Sequence, residues 1–249
     1  MKKYVYILAI FVFLGVVTLV MMIGFRSVTP TGNRVEAKQA DMNMTQNHLE
    51  PGEVLKLPEP VLDGDMSLEK ALTLRRSIRQ YADQPLTLAE LSQLLWSAQG
   101  ITNERGFRTA PSAGATFPLE VFIMVNQVEG LHKGIYHYRV HDHQLAFLRA
   151  TDMAGDLARA CLSQSMIADG GAVLIFAADF ERTTARYGDR GVRYVYNEIG
   201  HASQNVHLQA AALNLGTVVI GAYRDDEVEA LLQLDEPLRV LYLMPVGRE

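Results

Sequence analysis

Three arginines and a serine fall within five residues, Arg75-Arg76-Ser77-Ile78-Arg79. Guanidinium forks match phosphate oxygens in bidentate geometry, and a neighbouring hydroxyl adds a donor, so this cluster has the chemistry of a socket for one phosphate. The chain as a whole carries a net charge of −5. It therefore lacks the broad positive field that a polyanion needs, and nucleic acid is not an expected partner. Cations also suit the C-terminal end of a helix, whose dipole favours them. Taken alone, the cluster fits either role.

Three stretches of small residues could bring a ligand close to the backbone: Pro111-Ser112-Ala113-Gly114-Ala115, Gly221-Ala222, and Pro245-Val246-Gly247-Arg248, the last with an arginine expected just beyond the final strand. A flat ring or a sugar phosphate can approach such segments, although each also reads as an ordinary turn. No G-x-G-x-x-G follows a strand and no Walker sequence occurs, which disfavours Rossmann and P-loop nucleotide sites. Glu198 and His201 are spaced i, i+3 on a helix pattern, and His132, His137, His141 and His143 surround a hairpin pattern. A carboxylate di-metal site needs Glu-x-x-His on two helices, and one copy is present, so no metal is expected. The single cysteine, Cys161, can form no intrachain disulfide and reads as a small apolar side chain rather than a nucleophile.

These residues need a scaffold, and hydrophobic residues at 49% with charged residues at 20% describe a chain able to bury a core. Ser67 can cap a helix carrying Leu68, Ala71, Leu72 and Leu74 that delivers Arg75 and Arg76 at its end. Thr87 and Glu90 form a capping box ahead of Leu88, Leu91, Leu94, Leu95 and Ala98, closed by Gly100. Leu119 to Val125 reads as a strand, and Gly134 to Arg139 with Gln144 to Leu148 as a hairpin. A helix from Met153 to Ser163 leads to the continuous apolar strand Ala172 to Ala177. A long helix is expected from Val192 to Leu215, stopped by Gly216. Strands Thr217 to Ile220 and Arg239 to Pro245 then flank a helix from Asp226 to Leu234. This order implies an α+β layered domain of about 190 residues.

The start of the chain is different material. Lys2-Lys3 precedes an uncharged run from Tyr4 to Phe25, long enough to span a membrane as a helix, and Met21-Met22-Ile23-Gly24-Phe25-Arg26 offers no small-residue cleavage site. Residues 1–26 are expected to be an uncleaved single-pass anchor, 27–60 a polar tether, and 61–249 the folded domain. Lys2 and Lys3 favour an extracytoplasmic domain, against the opposing charges of Arg26, Arg34 and Lys38.

The order of motifs resembles the nitroreductase family, in its SagB/ThcOx branch. The features that carry the resemblance run from about Leu57 to the C-terminus. They are Arg-Arg-Ser-x-Arg after the first helix, Ala-Pro-Ser-Ala-Gly-Ala before a strand, Gly-x-Arg-Tyr…Glu-x-Gly-His-x-x-Gln-Asn on a helix, Leu-Gly-Thr…Gly-Ala, and the terminal Pro-Val-Gly-Arg. The resemblance implies a mixed or antiparallel sheet flanked by helices, and a homodimer with FMN in the subunit interface. It also implies a small-molecule substrate, with NAD(P)H as a candidate electron donor. Arg75, Ser77 and Arg79 would hold the phosphate and ribityl chain, with Arg76 as a helper and Arg248 reaching in from the chain end. Pro111, Ser112, Ala113 and Gly114 would come from the partner subunit, and Gly221 and Ala222 would lie near the isoalloxazine ring. In azoline-oxidising members a Lys-Tyr pair is associated with proton removal, and here that segment reads Arg186-Tyr187. Arginine keeps its proton, so Tyr187 is the candidate proton donor or acceptor and Arg186 a candidate for steering an anion. The expectation is thus a membrane-tethered FMN oxidoreductase. The alternatives are an azoline dehydrogenase of peptide maturation, or a non-catalytic flavin- or ligand-binding domain on the same scaffold.

Overall fold

A computed structural model describes residues 49–249. The expected membrane anchor and most of the tether lie in residues 1–48, outside the described residues. Among the described residues, no helix is long and apolar enough to cross a membrane.

Strand β5, Ala172–Ala178, is buried at every position. A strand this apolar must be covered on both faces. Leu174, Phe176 and Ala178 face one hydrophobic cluster, and Val173, Ile175 and Ala177 face a second. Around β5 the chain arranges β1 (Val54–Lys56), β2 (Leu119–Val125), β3 (Gly134–Arg139), β4 (Gln144–Ala150), β6 (Leu215–Thr217) and β7 (Arg239–Arg248) into one seven-stranded sheet ordered β1-β4-β3-β2-β5-β7-β6. Every adjacent pair is antiparallel, which settles the mixed-or-antiparallel expectation.

Helices close the two faces. The first hydrophobic cluster takes Leu91, Leu94, Leu95 and Ala98 from α2 (Leu88–Gln99). It takes Val195, Ile199, Ala202 and Val206 from α6 (Arg190–Ala212). The second takes Leu157 and Ala160 from α3 (Ala154–Ala160), Ile167 from α4 (Met166–Asp169), and Val228 and Leu232 from α7 (Asp225–Leu232). Cys161 lies in this second cluster, where burial pushes its thiol up to about 12.

Both expected caps form. Ser67 accepts from the Lys70 amide at the start of α1 (Leu68–Leu74), and Thr87 and Glu90 complete the reciprocal box at the start of α2. Other boundaries differ from the sequence reading. The long helix begins two residues earlier, at Arg190, and stops at Ala212 rather than near Gly216, because Asn214 takes a left-handed φ of 55°. Leu215–Thr217 is thereby freed to pair with β7. A separate helix, α5 (Glu181–Tyr187), precedes it. Strand β7 continues through Pro245 to Arg248, so this arginine is in the last strand and not beyond it. Proline is tolerated there because β6 pairs its last residue, Thr217, with Val246, leaving Pro245 past the end of that neighbour. Residues 54–56, read as part of the tether, pair with β4, and Leu57 is buried.

The arginine segment is laid against the sheet by a close approach. Ile78 donates its amide to Thr217 O at 3.0 Å. A Cβ on Gly216 would stand 2.6 Å from Ile78 Cγ2. Only glycine leaves room for Ile78 to seat there. We expect Gly216→Val to destabilise the domain by about 1–3 kcal/mol through overpacking. Adding Ile78→Ala should recover part of that loss in a thermal melt, and an unchanged midpoint for Gly216→Val would remove this account of the contact.

Candidate active site

The end of α1 presents the arginines. Arg75 is the C-cap and donates its amide to Ala71 O, while Arg76 Nη1 donates to Thr73 O at 2.9 Å and to Arg75 O at 2.7 Å. Among the described residues, neither these two guanidiniums nor that of Arg79 meets a carboxylate within 4 Å. Their positive charge is left available to an anion. Ser77 and Arg79 are exposed. A cavity of about 360 Å³ lies beside Arg76, lined also by His207, Asn214, Leu215, Thr217 and Glu249. His207 is almost fully buried, and its Nδ1 has no hydrogen-bond partner. Burial first, and Arg75 second, pull its pKa down to about 4, so the imidazole is neutral at pH 7.

Arg248 is engaged elsewhere on the same edge. Its Nε donates to Pro85 O at 3.0 Å and its Nη2 to Glu90 Oε2 at 2.9 Å. The same Glu90 oxygen accepts from the Thr87 amide in the capping box. One carboxylate therefore joins the start of α2 to the last strand.

A second group forms around the small-residue loop. Ser112 Oγ accepts from the Phe117 amide at 2.9 Å, and Ala113–Ala115 form a short 3₁₀ turn. Gly114 has φ +60°, and a Cβ there would lie 2.5 Å from Tyr187 Oη and 3.0 Å from the Arg186 guanidinium. Glycine is required on both counts. Arg186 Nη1 donates to Gly114 O at 3.1 Å, and its guanidinium lies 5.5 Å from the Tyr187 ring centroid. The structure thus brings Arg186 and Tyr187, at the end of α5, against the Gly114 loop. Glu198, on α6, is buried close enough to Ser112 to feel its hydroxyl. Its Oε1 has no partner, and burial, only partly opposed by Ser112 and Arg108, lifts its pKa to about 7.

Gly221 and Ala222 stand apart. A Cβ on Gly221 would meet the Tyr242 ring at 3.1 Å, and Ala222 O accepts from Gln164 Nε2. Tyr242 and Arg248 are six residues apart on β7, about 20 Å of strand. Glu198 and His207 are nine residues apart on α6, about 14 Å. Within one chain, the arginine cluster and the Gly114 loop are therefore separate patches.

Sequence reasoning gave Glu198 no role at this loop and passed over His207 and Arg108. Arg108 donates to Gln99 Oε1 at 2.7 Å, lies over the Phe117 ring at 4.3 Å, and has its pKa lowered by burial. A polar residue on the apolar stripe of a long helix was the available signal for Glu198 and His207. Two of the hairpin histidines have structural partners. His137 pairs with Glu120 at 2.9 Å, and His143 bonds Tyr138 Oη and Ser92 Oγ, both at 2.8 Å.

The profile of the nitroreductase family matches residues 72–248. MJ1384 of Methanocaldococcus jannaschii, a protein named as a nitroreductase, is 46% identical over 198 residues, covering 80% of this chain and 98% of that one. A crystal structure from Anabaena variabilis, also named as a nitroreductase, superposes with a TM-score of 0.70 at 31% identity, covering 79% of this chain. This chain spans 41% of that longer protein. The Escherichia coli microcin synthetase McbBCD complex with truncated pro-MccB17 bound contains a similar fold, with a TM-score of 0.62 at 22% identity, covering 90% of this chain and 84% of that one.

Glu198 gives a pH test of the loop. Its folded pKa of about 7 exceeds the ordinary value of 4.5, so between those values the folded state holds a proton that the unfolded chain releases. The resulting stability is complete below about pH 4.5 and is lost as pH rises through 7. We expect Glu198→Gln, which buries no charge, to gain on the order of 3 kcal/mol relative to wild type between pH 4.5 and pH 8. Parallel denaturation curves for the two proteins across that range would count against a buried, proton-holding carboxyl.

Proposed function

The chain belongs to the nitroreductase family, and from that premise we propose that it is an FMN-dependent oxidoreductase moving electrons between a reduced donor, with NAD(P)H as the candidate, and a small organic acceptor. The observation that carries this reading is the contact between the Gly114 loop and Arg186-Tyr187. It joins a backbone cradle that a Cβ would fill to a phenol and a guanidinium. The donor set fits the cofactor: three arginines free of carboxylates suit a phosphate, and a glycine-bearing loop suits a flat ring. Arg75, Ser77 and Arg79 would hold the phosphate and ribityl chain, aided by Arg76. Arg248 would act from the same edge while tied to Glu90. Flavin, when bound, supplies the electron-pair chemistry. The chain's own residues bind and orient. Arg186 stabilises negative charge beside Gly114, and the Tyr187 hydroxyl is placed to hold or pass a proton at Oη.

The separation of the arginines from the Pro111–Gly114 loop supports a homodimer in which that loop of one protomer completes the pocket around its partner's arginines, with Gly221 and Ala222 near the isoalloxazine ring. An anchor over residues 1–26, with a tether ahead of β1, would hold the domain at the membrane on the extracytoplasmic side, where soluble NAD(P)H is scarce and a quinone, a membrane protein or a small reductant would be the donor in its place. Azoline dehydrogenation is the weaker reading, because Arg186 cannot take up a proton.

Titration of FMN and riboflavin into the flavin-free full chain tests the phosphate assignment. Arg75→Ala and Arg79→Ala should weaken FMN roughly 10- to 100-fold, the scale of one charge-assisted contact, and leave riboflavin unchanged. Wild-type FMN affinity in both variants would remove the assignment, and a flavin-loaded monomer in sedimentation would remove the shared pocket.

Turnover tests Tyr187. We expect Tyr187→Phe to keep electron transfer to a simple acceptor within a few-fold of wild type, because that acceptor need not draw its proton from Tyr187, whereas a proton-coupled dehydrogenation would slow about a hundredfold or more. Strong oxidation of a thiazoline peptide by the unaided wild-type chain would reverse the ranking of the two readings.

A further inference from the structure

The Pro111–Gly114 loop returns to β2 through backbone that side chains rarely tolerate. Ala115 and Phe117 have φ of 54° and 46°, and Phe117 precedes Pro118, a position that sterics push toward extended backbone at negative φ. Such conformations persist where the surroundings over-determine them. Phe117 is gripped at three points. Its amide donates to Ser112 Oγ at 2.9 Å, its ring lies 4.3 Å from the Arg108 guanidinium, and its carbonyl accepts from Arg182 Nη1 at 3.1 Å.

Arg182 is itself braced against the sheet. The same Nη1 donates to Glu120 Oε1 at 2.7 Å, and its Nε lies 3.3 Å from Asp179 Oδ2. Glu120 belongs to β2 and Asp179 directly follows β5, at the end where Leu119 pairs with Ala178. Glu120 is fixed in turn, because its other oxygen bonds His137 of β3 at 2.9 Å and that imidazole stacks on Phe122. Two carboxylates thus neutralise the guanidinium, and what it offers the loop is a hydrogen-bond donor whose position the sheet sets. The same helix supplies two more ties. Thr183 Oγ1 shares a 2.8 Å hydrogen bond with Thr116 Oγ1, and Arg186 donates to Gly114 O.

We propose that Arg182 is a positioning residue for the cofactor: by holding the Phe117 carbonyl it fixes the shape in which the Pro111–Gly114 loop meets the flavin ring. The role rests on the flavin reading. A loop already held in its bound shape loses less conformational freedom when the ligand arrives, so Arg182 acts on affinity for the ring and not on recognition of the phosphate. A purely structural ion pair is the competing role, and it would act on the stability of α5 and the sheet rather than on the loop alone.

Hydrogen exchange and flavin titration of the full chain separate the two roles. The amides of Ala115, Thr116 and Phe117 are each hydrogen-bonded within the loop. In flavin-free Arg182→Gln we expect them to exchange about tenfold faster, with the amides of β5 unchanged, because the opening is local. FMN and riboflavin should both bind about tenfold more weakly, the scale of one charge-assisted hydrogen bond. Asp179→Asn takes one carboxylate from the arginine but leaves its contact with Phe117, and should match wild type in both measurements. Unchanged exchange across the loop, faster exchange that extends to β5, a loss confined to FMN, or an Asp179→Asn variant that behaves as Arg182→Gln would each overturn the proposal. A wild-type chain that binds neither flavin would defeat the cofactor reading and the link to it, while exchange of the loop amides would still decide whether Arg182 holds the loop.

Discussion

Helix α6 must bury one face against the sheet along most of its 23 residues, and every part of the candidate site takes its position from that requirement. Val195, Ile199, Ala202 and Val206 fix its rotation and depth in the first hydrophobic cluster. Once they are seated, Glu198 is carried under the Ser112 loop and His207 to the side of the arginines. The first turn is left to project Arg190 and Arg193. A helix held only by its ends could not keep a carboxyl in a dry environment, where desolvation lifts its pKa.

That dependence explains why the site's polar residues are so closely confined by packing. Glu198 and His207 sit on the buried stripe of α6 with unpartnered atoms, a state that costs free energy and persists when the surrounding structure enforces it. Arg186 and Tyr187 are held differently, through contact with a backbone that only glycine allows to come so near. The two devices leave His207 neutral and Glu198 about half protonated at pH 7, and keep full charge at the surface, an arrangement that suits a ligand with a flat body and an anionic end.

Much of this architecture was legible because it follows local rules. The continuous apolar run of β5, the alternating hairpin and the two capped helices each carry their signal within a dozen residues. What escaped depends on distant partners. Val54–Lys56 becomes a strand because β4 offers it an open edge, and no periodicity in a polar segment announces that. Arg248 reads as a free arginine at the chain end, but its partner Glu90 lies 158 residues away. The end of α6 was misplaced because glycine was expected to supply the left-handed residue that asparagine provides. Of the site, the residue types and their order could be read from the sequence. The separation of the arginines from the Gly114 loop on one chain could not.

The burial of Cys161 has a practical side. It is the chain's single thiol, sealed in the second hydrophobic cluster and held far from its thiolate form at neutral pH. To a thiol-directed reagent the folded protein is therefore almost blank. A cysteine introduced at an exposed position such as Ala115 or Val192 would carry a fluorophore or spin label alone, without first removing the native one. The distance from the loop to the first turn of α6, and between the same positions on two copies, could then be measured on a chain altered at the probed positions only.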